Sequence, residues 1–568
     1  MPERLFAELA TGGGSSQALA FLEQGERARR MLLLRTLLDH LDEVPTPLTP
    51  AAEAWAALKD AAEHAPGPVD RLLLAPATGG WLAHMLRRVH GTATGPPLWV
   101  EAGHLCALAV TACLSAGTDA ELRVSLSDGT LCLPGLGRAW LPDAAAGRTV
   151  GVATTSRGGL TLTGPGRRSG PTALTCRPVT SPLRSRRAAP VVVPEYDRRA
   201  ETRAPATWQP LRTLTHIGPA GVTAIPLDDL DPYRDLDDPV PPARLDADEA
   251  EEWQRLFDDA VGILADPGGT GPGRVDPAVI RSVVPFGRTG LLPPAPPVVP
   301  LSGSSGDSYG AMVIARPASA LALAETLVHE FQHSKLAALL HLFPLLDDDR
   351  EERYYAPWRA DPRHLTGLLH GAYAFTGVAG FWRDRLAGKE PGEEAGYHFA
   401  LRRLQSRLVV RTLLTSGRLT AEGRALVSGL ARTLDGWLRE PVPAEALARA
   451  RTAAALHRTE WRLRNVVPVA GPVPEFPRFR SDRLPWPDTR TRTFAIRPTA
   501  PRTADEYLAA GRPAAALARY DDALADDPGE PHALAGWIVA RAALEPGRAS
   551  RRLLARPERL RPRGRGPA

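Results

Sequence analysis

Lysine is nearly absent from this 568-residue chain. It occurs at Lys59, Lys335 and Lys389 only, so the other 66 of the 69 basic residues are arginine (69 − 3 = 66). With abundant alanine and 56 prolines, this matches the codon usage of a GC-rich genome and is no sign of an arginine-driven function. The net charge is only +5, and the basic residues form no large block, which argues against nucleic-acid binding. Cysteine is also scarce. Cys106, Cys113, Cys132 and Cys176 have neither C-x-x-C pairing nor zinc-ribbon spacing, as expected of reduced, mostly buried thiols in a cytoplasmic protein. No apolar run approaches the ~20 residues of a membrane-spanning helix. The opening Met-Pro-Glu-Arg-Leu-Phe-Ala lacks a basic start followed by an apolar core, so no secretory signal is expected. The remaining composition, 43% hydrophobic and 23% charged, is that of a soluble globular chain long enough for several domains.

Periodicity divides the chain. Residues 1–120 read as a helical region, with apolar residues at three- and four-residue spacing in Ala51–His64, Gly80–His90 and Trp99–Ser115. Residues 121–200 read as a β-rich layer followed by a linker. ELRVSL and TLCLP flank Asp128-Gly129, a strong hairpin signal, and strand character is expected to stop at Gly164-Pro165-Gly166. Residues 201–300 read as a linker containing one amphipathic helix, Ala247–Leu264, and a proline-dense stretch, Leu292–Pro300. Residues 301–450 form the expected metal-binding helical core. Residues 500–548 resemble a single tetratricopeptide-like helical hairpin, and residues 549–568 read as a basic, disordered tail. The expected fold class is α+β and mostly helical, with a small β-rich layer and a zincin-like strand-then-helix core.

Chemistry concentrates at residues 329–333, His-Glu-Phe-Gln-His. On a helix, residues i and i+4 share one face, so His329 and His333 can offer two imidazole nitrogens to one metal ion. Glu330 stands beside them, able to handle a proton from bound water. SYGAMVIARP reads as a strand feeding this helix, nothing from Ala318 to Phe343 breaks it, and Pro317 suits its first turn. A third ligand is expected. The pattern H-E-x-x-H-x-x-G-x-x-H is absent, because Leu336 and Leu339 occupy the positions of its glycine and third histidine. His370 is the leading candidate, on the next apolar helix beside the small residues Gly371, Ala372 and Ala374; the rivals are His341, His364, Glu351, Glu352, Asp361 and Glu393. Lys335, two residues past His333, turns away from the ligand face and reads as a surface or partner contact. On these residues alone the default chemistry is a zinc hydrolase with Glu330 as general base.

The ordered segments AETLVHEFQHSKL, YYAPWRADPR and LLHGAYAFTGVAGFWR, with PLDDLDPYR at Pro226–Arg234, resemble the actinobacterial HEXXH-motif proteins encoded beside ribosomal peptide natural-product clusters. The resemblance spans about the middle half of the chain. It implies an enzyme acting on a ribosomally made precursor peptide, and some members of that family are iron(II)- and 2-oxoglutarate-dependent β-hydroxylases of such peptides. Two histidines and a third ligand leave three positions on octahedral iron, enough for a bidentate 2-oxoglutarate and dioxygen. The distal carboxylate of the cosubstrate then calls for an arginine. Arg359 and Arg363 are the first choices, with Arg383, Arg407 and Arg411 as alternatives. Under this reading Glu330 would orient a ligand or contact substrate instead of acting as a base. The alternatives are a zinc metallopeptidase trimming a leader peptide and a non-catalytic peptide-binding scaffold.

Overall fold

The computed structural model describes residues 1–167, 170–182, 207–218, 221–236, 238–264, 271–286, 301–388, 392–467, 478–479 and 490–560. They form a mixed α+β fold, predominantly helical, divided into two compact units that do not follow chain order. The first unit comprises Met1–Leu19, Pro267–Arg274 and Phe343–Ala568; the second comprises Ala20–Asp266 and Val275–Leu342. The proline-dense stretch 292–300 lies outside the described residues.

In the second unit, helix His104–Ala116 is apolar almost all round and buried from His104 to Leu114. Such a helix must be covered on every side. Trp81, Leu58 and the inward residues Leu122, Val124 and Leu126 join it in one core. Gly103 separates it from the short helix Leu98–Ala102, so the single helix expected over Trp99–Ser115 is two. The stretch Leu98–Ala116 is long and apolar enough to cross a membrane, yet 72% of its apolar 18-residue window is buried inside the protein, which accounts for its hydropathy. Against this core lies a seven-stranded antiparallel sheet in the order Pro171–Cys176, Gly159–Pro165, Arg148–Ser156, Ala120–Ser127, Thr130–Leu133, Gly137–Trp140, Trp208–Pro210. Asp128 and Gly129 turn its central hairpin with φ of 49° and 72°, the two positive values a tight two-residue loop requires. Strand character does not stop at Gly164-Pro165-Gly166: Pro171–Cys176 adds an edge strand, with Leu162 paired to Leu174.

A second sheet positions the histidine helix. Its order is Ser302–Gly303, Ala311–Ile314, Ser282–Pro285, Gly221–Leu227, Arg212–Gly218, Ser181–Pro182. Ser282–Pro285 runs parallel to both of its neighbours and, like Ala311–Ile314, is buried at all four positions, as strands covered on both faces must be. Ser302–Gly303 closes one edge antiparallel to Ala311–Ile314. Helix Ala247–Leu264 buries Trp253, Phe257, Ala260 and Val261. Gln254 fastens it to the sheet, accepting from the Thr215 amide at 2.9 Å and donating to the Thr215 carbonyl at 2.6 Å. Ala311–Ile314 then leads into helix Ala320–Leu342.

The first unit is helical: Leu365–Leu386, Glu393–Thr415, Ala421–Trp437 and Ala444–Asn465 precede the tetratricopeptide-like segment. That segment breaks at Gly511 (φ 72°), so its first expected helix is two, Ala504–Ala509 and Pro513–Asp526, followed by Pro531–Leu544. Residues 549–560, expected to be disordered, are folded. Arg548–Ala555 is a helix and Pro557–Leu560 a 3-10 turn whose buried Glu558 pairs with Arg462; residues 561–568 lie outside the described residues.

The space beside Gly371 is taken by the side chain of Trp358. A Cβ there would stand 2.0 Å from Cζ2 of Trp358, whose indole stacks on Phe375 with centroids 4.8 Å apart. Gly371→Ala is therefore expected to cost about 1–3 kcal/mol by overpacking. Chemical denaturation checks this, and an unchanged midpoint would show that the indole has room to retreat.

Candidate metal centre

Ser319 opens the histidine helix, its hydroxyl accepting from the Ala322 amide at 3.2 Å; Pro317 falls before the first turn and not within it. Leu323, Leu327, Val328, Phe331, Leu336 and Leu339 are buried and anchor the helix. On its remaining face His329 and His333 stand one turn apart, half-buried, with ring centroids 4.7 Å apart and ring planes at 82°. The ligand atoms of His329, Glu330 and His333 all lie within 4.8 Å of one another, close enough to share one ion. Two imidazoles are borderline donors that suit zinc or iron, so the histidine pair fits a first-row divalent metal.

Glu330 is fully buried. Ser302 Oγ donates to its Oε1 at 2.6 Å, Ser304 Oγ donates to its Oε2 at 2.8 Å, and His329 Nδ1 donates to Oε1 at 2.9 Å. Burial alone would raise the carboxyl pKa. The hydrogen bond and charge of His329, with His333 and Ser302, reverse that and hold it down at about 2. In the neutral form of His329, a proton on Nδ1 facing this carboxylate leaves Nε2 as the nitrogen that can serve a metal.

Neither serine is marked by the motif. Their only sequence signal is alternation: residues 302 and 304 share a face in an extended segment whose middle residue, Gly303, pairs with Val313. Lys335 also departs from expectation. It turns away from the ligand face, as its spacing requires, but into the protein, being 2% exposed with Nζ 5.9 Å from the Phe331 ring centroid. Burial pushes its ammonium down to about 7.

The other sequence candidates lie mostly in the first unit. His370 is on helix Leu365–Leu386, where desolvation, then the charge of His364, lowers its imidazole pKa to about 4. It is neutral at physiological pH, as a metal ligand must be. Arg359 Nε and Arg363 Nη1 both point at the Asp361 carboxylate, at 2.7 Å and 3.5 Å. Several rival ligands are committed elsewhere. His364 Nδ1 is 2.7 Å from Asp348, Glu393 pairs with Arg449 at 2.9 Å, and His341 Nδ1 lies 2.6 Å from Glu26 in the second unit. If His370 is the third ligand, His370→Ala lowers metal affinity by at least the ~10–100-fold typical of losing even an outer partner of a site. An unchanged affinity returns His370 to the core and promotes the acidic candidates.

Scans of the chain against models of known protein families and against curated proteins return no match.

Proposed function

We propose that this chain is an iron(II)- and 2-oxoglutarate-dependent dioxygenase that hydroxylates the β-carbon of a residue in a ribosomally made precursor peptide. The observation that carries this choice over hydrolysis is the state of Glu330. A zinc peptidase needs the glutamate of H-E-x-x-H within reach of the metal's water and able to take its proton. Here both carboxylate oxygens accept hydroxyl donors from Ser302 and Ser304, one also accepts from His329, and no part of the side chain is exposed. A carboxylate so engaged is suited to orienting an imidazole, and an oxygenase requires no base at that position.

His329 and His333 would hold the iron through ring nitrogens, His329 by Nε2. When bound, iron(II) with 2-oxoglutarate supplies the chemistry that splits dioxygen between succinate, released with carbon dioxide, and a new hydroxyl on the peptide. The protein's own part is to fix the imidazoles. Glu330 locks the His329 tautomer, and the apolar anchors of the helix hold both rings on adjacent turns. Of the sequence candidates, His370 is kept as third ligand, and Arg359 and Arg363 as partners of the cosubstrate's distal carboxylate.

The runner-up, a zinc metallopeptidase, draws support from the topology. A strand leads directly into the histidine helix, and a short antiparallel edge strand flanks it, an arrangement in keeping with a zincin-like core. Anaerobic titration of the iron(II)-loaded protein with 2-oxoglutarate separates the two. The oxygenase reading expects a saturable visible charge-transfer band from the chelate, lost in His329→Ala. Iron binding without any such band would favour the peptidase.

A further inference from the structure

Ser302 and Ser304 lie outside every motif, 28 and 26 residues from Glu330 in the chain, yet their hydroxyls take up both of its carboxylate oxygens. The arrangement is built and not incidental. Ser302–Gly303 is held at the sheet edge by Ser302↔Ile314 and Gly303↔Val313 pairing, and the period of two turns both serine side chains toward the same helix. The next residues continue along that helix: Gly306 packs near Ala337 and His341, and the Gly310 amide reaches Ser334 Oγ at 3.4 Å. The segment from Ser302 to Gly310 is thus a strap laid along the histidine helix.

A carboxylate beside two metal-binding imidazoles has two options. It can rotate toward the ion and become a ligand, or it can be held back and orient a neighbouring ring. We propose that Ser302 and Ser304 are positioning residues that hold Glu330 back, so that its carboxylate fixes His329 Nδ1–H and stays off the metal. This rests on the reading that His329 and His333 bind a metal, but not on which reaction follows. Each serine hydroxyl holds its own carboxylate oxygen, Ser302 at 2.6 Å from Oε1 and Ser304 at 2.8 Å from Oε2, so the carboxylate cannot turn toward an ion without breaking one of them. The orienting carboxylate of a metal-bound histidine is commonly itself held by such bonds.

The serines act through Glu330, and that is what the test isolates. Cobalt(II) affinity is measured by chelator competition on the folded full-length protein, Ser302→Ala/Ser304→Ala, Glu330→Gln and the triple variant, with Ser302→Thr/Ser304→Thr as rescue. Absence of cobalt binding by the unsubstituted protein would sink the metal reading itself. Given binding, the alanine pair is expected to lower affinity by ~10–100-fold, the threonine pair to restore it, and the alanine pair to have no further effect once Glu330 is glutamine. The cobalt visible spectrum of the alanine pair should also change as the carboxylate gains freedom to reach the ion. Unchanged affinity and spectrum in the alanine pair, or an equal loss with and without Glu330→Gln, would overturn the proposal, the latter because it marks a structural effect independent of the carboxylate. If the paired variant does not fold, Ser302→Ala and Ser304→Ala alone are read by the same criteria.

Discussion

Replacing His329 or His333 by alanine will abolish divalent-metal binding and leave the protein folded. Each substitution removes one of two imidazoles that stand on adjacent turns with ring centroids 4.7 Å apart, and leaves fewer protein ligands than the three that a catalytic site of this kind needs. The fold does not depend on either ring. Helix Ala320–Leu342 is anchored by Leu323, Leu327, Val328, Phe331, Leu336 and Leu339, whereas both histidines are half-buried on the other face. Open, catalytic-type sites also contribute less to folding than closed structural ones. Metal content of the purified variants, with circular dichroism to establish folding, checks this. Full occupancy in either folded variant would refute the assignment of the motif.

A second large effect is expected far from the histidine helix, within the first unit. His532 opens helix Pro531–Leu544 with Nδ1 2.8 Å from Glu460 and Nε2 3.0 Å from Asp505, so one imidazolium bridges the tetratricopeptide-like segment to helix Ala444–Asn465. Burial alone would lower the pKa of His532; the hydrogen bonds to Asp505 and Glu460 raise it to about 9. Burial would likewise raise Glu460, but His532, Arg490 and Arg464 hold it at about 2. His532→Ala removes the cation shared by two largely buried carboxylates, while Arg464 and Arg490 still face Glu460 and Tyr520 still donates to Asp505, and is expected to cost about 1–3 kcal/mol. The pH dependence follows from the signs. The histidine's contribution is complete below its ordinary 6.5 and is lost as pH rises through about 9. That of Glu460 is complete above its ordinary 4.5 and is lost as pH falls through about 2. Hydrogen exchange of the Pro531–Leu544 amides should therefore be slowest relative to intrinsic rates between these ordinary values and should accelerate toward pH 9. Protection in His532→Ala equal to that of the unsubstituted protein would contradict this account.

Local pattern carried much of the fold. Asp128-Gly129 between alternating segments, the unbroken run through His329, and the helix Ala51–His64 are each decided by neighbours in sequence, and each stands where its pattern points. Elements set by distant partners were harder to read. Pro171–Cys176 begins with proline and alternates weakly, and it is a strand because Gly159–Pro165 offers it an edge. Helix Ala444–Asn465 hides its apolar side among arginines, one of which, Arg449, is buried and donates to the Phe494 carbonyl at 3.0 Å. Residues 549–560 looked like a charged tail because a pairing such as that of Glu558 with Arg462 is invisible in a linear chain.

The candidate site divides the same way. His329 and His333 follow from helical spacing alone. The role of Glu330 does not, because a free and a sequestered carboxylate have the same letter in the motif, and Ser302 and Ser304 decide between them. Lys335 illustrates the limit of helical-wheel reasoning. The wheel gives its direction relative to the histidines, but not whether protein or solvent lies on that side.

The measurement that bears most directly on the central claim is the intact mass of the proposed substrate class, a ribosomally made precursor peptide, after incubation with protein reconstituted anaerobically with iron(II) and then exposed to dioxygen, with and without 2-oxoglutarate. Aerobic preparation would allow iron to be oxidised or displaced by zinc, which binds such ligands more tightly. The account predicts a peptide heavier by one oxygen atom, formed only when iron(II) and 2-oxoglutarate are both present and accompanied by an equal amount of succinate. A peptide cut into two fragments by the zinc-loaded protein, equally well without 2-oxoglutarate, would contradict it.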